Sequence, residues 1–335
     1  MIVDLLPTED QEAFRDSVAA LLADELPIAR LHEEAAFGGA AERAIWGTLA
    51  ELGLFGLSVS EARGGFGCTL AEEVTVAREF GKHLVSPTVL STMLATHVAG
   101  DDILPAIMAG ETRVAFANPL KPVDFSNDTA DVQLIDAEGV DYVLLWNAQE
   151  ARLYRAPTDA RQAECLDDTV GLARAVLDLG SPAARREGPW MLRAASLMLS
   201  AALAGNAEAT CAMAVEYGKF REQFGQPIGS FQSIKHYCAE MARRAEAAVA
   251  QTLFATLDAL EREDGNLFEV AAARLLAGDA ARENGRFNIQ IHGGIGFTYE
   301  ADAHLFLKRA WLLSALTSSE RIEQARIIAA DGPTA

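Results

Sequence analysis

Two short stretches are the most informative parts of the chain: REQFGQPI at residues 221–228 and QIHGGIGF at residues 290–297. The first separates two long helical patterns, and the second ends the next one. Arg221 offers a planar, permanently charged fork that suits a pyrophosphate, and Phe224 offers an aromatic face for a flat ring. Gln290 can hydrogen-bond a polar ligand edge, while Gly293 and Gly294 let a ligand approach the backbone closely. The residue types of the two stretches would suit a ligand that carries phosphates and a flat ring.

Each stretch also has an ordinary structural explanation. The first is typical of a helix–helix turn with a surface arginine, and the second is typical of a glycine helix C-cap. The glycine stretch is not a dinucleotide-binding fingerprint, because it follows a helix and not a strand. His292 is expected to be structural, since no second histidine lies at ligand spacing, and no metal site is predicted.

The regions around these stretches predict a mainly α protein with a β-rich middle. Residues 1–111 are expected to form a helical domain, residues 112–183 a shortened β-domain and residues 184–335 a helical bundle. A helix should begin near Leu70, and Gly81 and Pro87 should end that segment. The predicted bundle helices are Trp190–Phe220, Ser230–Glu261, Leu267–His292 and Ala301–Leu316, with a fifth near the C-terminus. The predicted strands are Val114–Ala117, Val132–Ile135, Tyr142–Trp146 and Leu153–Tyr154.

Composition limits the classes of partner and the cellular compartment. The net charge of −20 argues against nucleic acid and suits either solubility or docking to a basic partner. Four cysteines without close spacing suit a reducing cytoplasm. The N-terminus lacks the layout of a signal peptide. The apolar stretch from Trp190 to Ala204 is interrupted by Arg193 and is short for a membrane span, so we expect a buried bundle helix.

The two motifs, in this order and at this separation, resemble the adenosine-pyrophosphate motifs of acyl-CoA dehydrogenases. Residues 49–67 (LAELGLFGLSVSEARGGFG) and the segment from Leu104-Pro105 to Gly110-Glu111 are similar to that family's N-terminal helical region and its lead-in to the middle domain. The resemblance implies an N-terminal helical domain, a β-domain and a C-terminal four-helix bundle. It also implies FAD, held here by residues of both motifs and by Gln232, which follows the first: Arg221, Gln223, Phe224, Gln232, Gln290, Gly293 and Gly294.

The family reaction is α,β-dehydrogenation of an acyl-CoA thioester, in which a glutamate removes the α-proton and an electron-transfer flavoprotein receives the electrons. The two family positions for that glutamate fall at Thr317-Ser318-Ser319 and near Ala195-Ser196, and none of these residues is acidic. Glu320 is one residue away and could serve as a displaced base. Otherwise Glu320 and Glu323 are expected on a solvated helix face beside Arg321 and Arg326.

The middle domain departs from the family as well. The family's flavin-ring loop is replaced by Ala117-Asn118-Pro119-Leu120-Lys121, and Trp146-Asn147 only superficially matches its second ring-contacting strand. The chain therefore keeps elements that act on a neighbour's cofactor and lacks those that hold its own flavin ring. This pattern resembles the short, non-catalytic subunit of heteromeric dehydrogenases, several of which act on steroid side-chain thioesters.

Three hypotheses remain open at this point. The first is a subunit that completes the FAD site of a catalytic acyl-CoA dehydrogenase partner, preferably in a dimer of dimers. The second is a self-sufficient dehydrogenase with Glu320 as its base. The third is a non-enzymatic scaffold that binds neither FAD nor acyl-CoA.

Overall fold

The computed structural model describes residues 5, 7–262, 267–316 and 318–330. Two compact units account for the chain. One comprises Met1–His32, Val74–Leu84 and Ser196–Ala335, and the other comprises Glu33–Glu73 and Val85–Ala195. The mainly α composition with a β-rich middle is confirmed. The three domains bounded at residues 111/112 and 183/184 stay a prediction.

Most of the described residues are helical. The α-helices are α1 (Glu9–Glu25), α2 (Ala40–Ala44), α3 (Trp46–Glu51), α4 (Leu70–Lys82), α5 (Pro87–Ala95), α6 (Leu104–Met108), α7 (Trp190–Phe220), α8 (Gln232–Glu261), α9 (Phe268–His292), α10 (Ala303–Ala315) and α11 (Glu320–Ala329). Helix α1 begins at a capping box in which Thr8 and Gln11 satisfy each other's backbone N–H groups. In the last region the predicted helices are confirmed, and α7 has the predicted bounds.

The β-rich middle forms one mixed sheet, and the Arg221 motif forms a separate hairpin. The strands are β1 (Val114–Pro119), β2 (Thr129–Ile135), β3 (Tyr142–Trp146), β4 (Glu150–Arg155), β5 (Arg161–Ala163), β6 (Leu172–Asp178), β7 (Ala184–Glu187), β8 (Glu222–Gln223) and β9 (Gln226–Pro227). The large sheet has the order β5-β6-β2-β1-β3-β4-β7. Only β1 and β3 pair in parallel. One face of this sheet is buried, and its apolar side chains include Val132, Val143 and Leu145.

The helix predicted from about Leu70 does end before Pro87, but Gly81 does not terminate it. Gly81 lies inside α4, which continues to Lys82. A Cβ on Gly81 would come within 1.8 Å of the carbonyl oxygen of Ala202 in α7, so close contact between α4 and α7 requires glycine there. Pro87 is the first residue of α5 and begins a helix, because that position needs no N–H donor.

Among the described residues, one helix, α7, is long and apolar enough to cross a membrane by length and composition alone. Two thirds of its most apolar window (67%) is buried, which is the environment of a core helix. None of the four cysteines, all of which lie in the described ranges, forms a disulfide. Burial raises the pKa of Cys211 and of Cys238, which face each other across α7 and α8.

Candidate cofactor site

The Arg221 motif (Arg221–Ile228) folds as a two-residue β-hairpin between α7 and α8. Gln223 pairs with Gln226, and Phe224 and Gly225 form the loop. Both loop residues have positive φ, 53° and 77°, the backbone that a type I′ turn requires. The Ile228 N–H donates to the carbonyl of Arg221 at 2.7 Å and closes the hairpin. The motif is therefore a hydrogen-bonded hairpin and not a simple helix–helix turn.

Phe224 is a poor residue for the position that it occupies. A left-handed backbone is unfavourable for any L side chain, by about 1–2 kcal/mol. Its ring is 92% exposed and makes one edge contact, with Phe231 at 6.1 Å between ring centroids. Neither backbone preference nor packing within the described residues explains a phenylalanine here. The ring is therefore open to contact by a flat ligand or by a partner.

The glycine motif (Gln290–Phe297) caps α9 and leaves open space beside the backbone. Gly293 has φ 64° and ψ −140°, and its N–H donates to the carbonyls of Ile289 and Gln290. That donor is therefore used within the chain, so Gly293 offers room and not a hydrogen bond. A Cβ built on Gly293 or Gly294 would meet no atom within 4 Å. The side chain of Gln290 is exposed beside this space.

Tyr217 joins the two motifs. Its ring stacks on the His292 ring with centroids 4.0 Å apart, and its hydroxyl donates to the His292 carbonyl at 3.4 Å. His292 Nδ1 in turn contacts the carbonyl of Asn288 at 2.8 Å. His292 thus acts as a structural residue, as its sequence context predicts. Within the described ranges no group of three or more potential metal ligands occurs.

The residues that contain and follow the hairpin present a basic surface in an otherwise acidic chain. Residues 219–244 carry five basic and two acidic side chains, a net charge of +3 against −20 for the whole chain. Lys219 and Arg243 are neutralised by Glu216 and Glu240. Arg221 is exposed, and its guanidinium forms no ion pair in the part of the chain that the structure covers. An exposed, unpaired guanidinium beside an open backbone suits an anionic ligand.

Large apolar side chains around the motifs are exposed. Phe220, Phe297 and Tyr299 are 69%, 75% and 75% exposed, and Phe220 contacts Tyr217 edge-on at 5.2 Å. Together with Phe224, these exposed aromatic side chains in and beside the two motifs make up what we call the motif surface. Aromatic residues are enriched at protein interfaces, so their exposure here suits a binding surface.

The family base positions hold no carboxylate in the structure. Thr317 lies outside the described residues. Ser318 is buried and donates its hydroxyl to the Glu323 carboxylate, and Ser319 is the N-cap residue of α11. At the second position both Ala195 and Ser196 are completely buried. None of the described side chains at these positions can act as an acyl-CoA base without an activating partner.

Glu320 lies at the surface as the first residue of α11. Its side chain is 57% exposed, and one carboxylate oxygen lies 3.3 Å from a guanidinium nitrogen of Arg282. The other oxygen accepts a hydrogen bond from Gln324. Both oxygens are thus engaged by neighbouring side chains. The assignment of Glu320 as a base stays a prediction.

Sequence reasoning missed a buried polar cluster between α9 and the loop before α11. One terminal nitrogen of Arg274 donates to the carbonyls of Leu313, Ser314 and Leu316, at the end of α10. Burial lowers the pKa of Arg274 to about 10. Glu323 is 2% exposed and pairs with Arg326 at 2.7 Å, so its expected place on a solvated face is wrong. The sequence signal for this cluster is Arg274 itself, a charged residue within the alanine-rich run of α9.

The middle-domain substitutions are structural in this chain. Pro119 ends β1, and Trp146 ends β3 with its ring edge-on to Phe116 at 5.8 Å. The Asn147 side chain accepts from the backbone N–H groups of Gln149 and Glu150 and so stabilises the turn into β4. Asn147 is therefore a turn residue here.

Comparison with known proteins agrees with this geometry. The family models for the acyl-CoA dehydrogenase N-terminal and C-terminal domains match residues 8–106 and 190–331. Acyl-CoA dehydrogenase FadE34 of Mycobacterium tuberculosis is 36% identical over 80% of this chain, which spans only 39% of that protein. Acyl-CoA dehydrogenase IpdE2 of the same organism is 30% identical, over 95% of this chain and 96% of that one.

Solved structures show the same fold. The chain in the Mycobacterium tuberculosis ChsE4-ChsE5 complex gives a TM-score of 0.80 at 18% identity, over 99% of this chain and 100% of that one. A variant of the Tcur3481-Tcur3483 steroid ACAD gives 0.79 at 21% identity, over 95% and 96%. The architecture is that of an N-terminal helical domain, a central sheet and C-terminal helices. The chain is a member of the acyl-CoA dehydrogenase family.

Proposed function

We propose that this chain is a subunit of a heteromeric acyl-CoA dehydrogenase and supplies the adenosine-pyrophosphate half of an FAD site to a catalytic partner. The observation that carries the proposal is a contrast between two sites. The two cofactor motifs are joined, exposed and built for an anionic, flat ligand. The described base positions carry no acid.

The residues of both motifs fit the adenosine and pyrophosphate of FAD. The Arg221 guanidinium would pair with the pyrophosphate, the Phe224 ring would stack on a flat ring, and the Gly293–Gly294 backbone would give room for close approach. Gln223, Gln232 and Gln290 are exposed amides beside them and would hydrogen-bond the polar edges. FAD, when bound, accepts the hydride of the α,β-dehydrogenation.

The proton-abstracting carboxylate would come from the partner, because neither family position in this chain offers one in its described residues. A shared site also accounts for the motif surface, since a partner would cover its exposed aromatic rings. We propose a dimer of dimers for the assembly, the cytoplasm for its location and an electron-transfer flavoprotein as its electron acceptor.

The relatives support a two-part enzyme. The segment of FadE34 that matches this chain makes up 39% of that protein, so most of FadE34 lies outside the match and leaves room for a second dehydrogenase-like part. Two of the similar folds belong to paired chains, the ChsE4-ChsE5 complex and the Tcur3481-Tcur3483 steroid ACAD. A steroid-type acyl-CoA is our proposed substrate class.

The test is FAD binding in the complex of this chain with an acyl-CoA dehydrogenase chain from its own genome. Arg221→Ala should weaken FAD binding, because a charge-assisted contact is worth about 1.5–3 kcal/mol, or about 10- to 150-fold in affinity. Arg243→Ala is the matched control, since Arg243 is an exposed arginine of the same basic surface that is already paired with Glu240. Equal FAD affinity in the Arg221→Ala and Arg243→Ala complexes would contradict the proposed site.

A further inference from the structure

A cavity lies on the large sheet, within the unit that contains the β-domain. It has a volume of about 540 Å³ and is lined by residues of β5, β6 and β2 and by the segments that flank β1 and β5. None of its lining residues belongs to either cofactor motif. The cavity therefore needs an explanation of its own.

Two arginines lie side by side on neighbouring strands at this cavity. Arg161 of β5 and Arg174 of β6 are directly opposite in the register of the antiparallel pair, so both side chains lie on one face of the sheet. Both are exposed, and both line the cavity. Like charges directly opposite destabilise a strand pair. Neither guanidinium has a carboxylate within 4.0 Å among residues 5, 7–262, 267–316 and 318–330.

The lining also contains small, apolar and acidic side chains. Ala163 lies two residues along β5 from Arg161 and leaves the surface shallow there, and Val176 and Leu120 add apolar surface, being 56% and 51% exposed. Asp131 lies opposite Val176, two residues along β6 from Arg174. The other acid of the lining, Asp159, precedes β5.

The positions of the two arginines and the two carboxylates favour a ligand with a single anionic group. A dianionic group fits between two guanidinium forks, where it can take charge-assisted hydrogen bonds from both and remove their mutual repulsion. The two carboxylates repel any further negative charge beyond the arginine row. The ligand should therefore carry one anionic group and an uncharged body that covers Val176 and Leu120.

We propose that this cavity binds a phosphate monoester, with the phosphate between Arg161 and Arg174 and an uncharged organic body on the apolar surface. The site is separate from the cofactor motifs in sequence and composition. It does not depend on the subunit role proposed above.

The probes are phenyl phosphate and inorganic phosphate, titrated into the full chain by calorimetry, with the partner present if the chain is obtained as a complex. Phenyl phosphate should bind more tightly than inorganic phosphate, because only its ring can cover Val176 and Leu120. Arg174→Gln should lower the affinity for phenyl phosphate at least about tenfold, since a charge-assisted contact is lost.

Two control variants place the binding. Arg185→Gln removes an exposed arginine from β7, at the other edge of the same sheet, and should leave the affinity unchanged. Arg221→Ala should leave it unchanged too, because that residue belongs to the cofactor motif. The proposal is overturned if phenyl phosphate does not bind at millimolar concentration, if Arg174→Gln binds it as well as wild type, or if Arg221→Ala abolishes the binding.

Discussion

Replacement of Phe224 should change the free energy of unfolding of this chain little and should weaken FAD binding in the complex. Phe224→Gly relieves a left-handed backbone strain of about 1–2 kcal/mol. It costs about 0.5–1 kcal/mol of chain entropy and a similar amount for the edge contact with Phe231. With the ring 92% exposed, no further packing is lost. The free energy of unfolding of the lone chain should therefore stay within about 1 kcal/mol of wild type.

Phe224→Ala isolates the ring from the backbone. Alanine keeps the strained φ of 53° and loses only the ring, so this variant should be less stable than Phe224→Gly by about 1 kcal/mol. Both variants should weaken FAD binding in the complex alike, because stacking of an aromatic ring on a base is worth about 1–3 kcal/mol. Leu166→Ala, a change at another exposed apolar residue, should alter neither quantity.

The assays are guanidinium unfolding of the lone chain, followed by circular dichroism, and flavin fluorescence titration of the complex. A loss of more than about 2 kcal/mol in Phe224→Gly would show that the ring stabilises this chain itself. Wild-type FAD affinity in both variants would show that the ring does not contact the cofactor. Either result refutes the reasoning about the hairpin.

Three further variants test other parts of the account. Arg274→Met should lower the free energy of unfolding by about 3 kcal/mol, because the carbonyls at the end of α10 lose their buried donor, and chemical denaturation measures this. Gly205→Ala should cost at least about 3 kcal/mol in the same assay, since its Cβ would lie 1.9 Å from the carbonyl oxygen of Arg78; Gly47→Ala, where nothing lies within 4 Å, should not destabilise. Glu320→Gln should leave the acyl-CoA oxidation rate of the complex unchanged, whereas a fall of about a hundredfold or more would identify Glu320 as the base.

Long helices with strong periodicity could be predicted from sequence. The bounds of α7 were predicted to the residue, because its apolar run ends where the hairpin motif begins. Short polar strands could not be predicted. Arg161–Ala163 and Ala184–Glu187 form the two edges of the sheet and have no apolar alternation to mark them, and Leu172–Asp178 was missed with them.

Tertiary contacts decided the remaining differences. Gly81 is a helix terminator by local preference, but the approach of α7 makes glycine the residue that fits inside α4. Glu323 has the spacing of a solvated helix face, but the fold buries it beside Arg326 and Ser318. For the proposed cofactor site, the residues stay a prediction from sequence, and the structure adds the Tyr217–His292 stack, which the sequence did not predict.

The most direct test of the central claim is the flavin content of the chain purified alone, read from its visible absorption spectrum before and after addition of acyl-CoA. The account predicts well under one FAD per chain and no bleaching by acyl-CoA, with stoichiometric flavin appearing only when a catalytic partner is present. One FAD per chain, bleached by acyl-CoA in the absence of any partner, would contradict it.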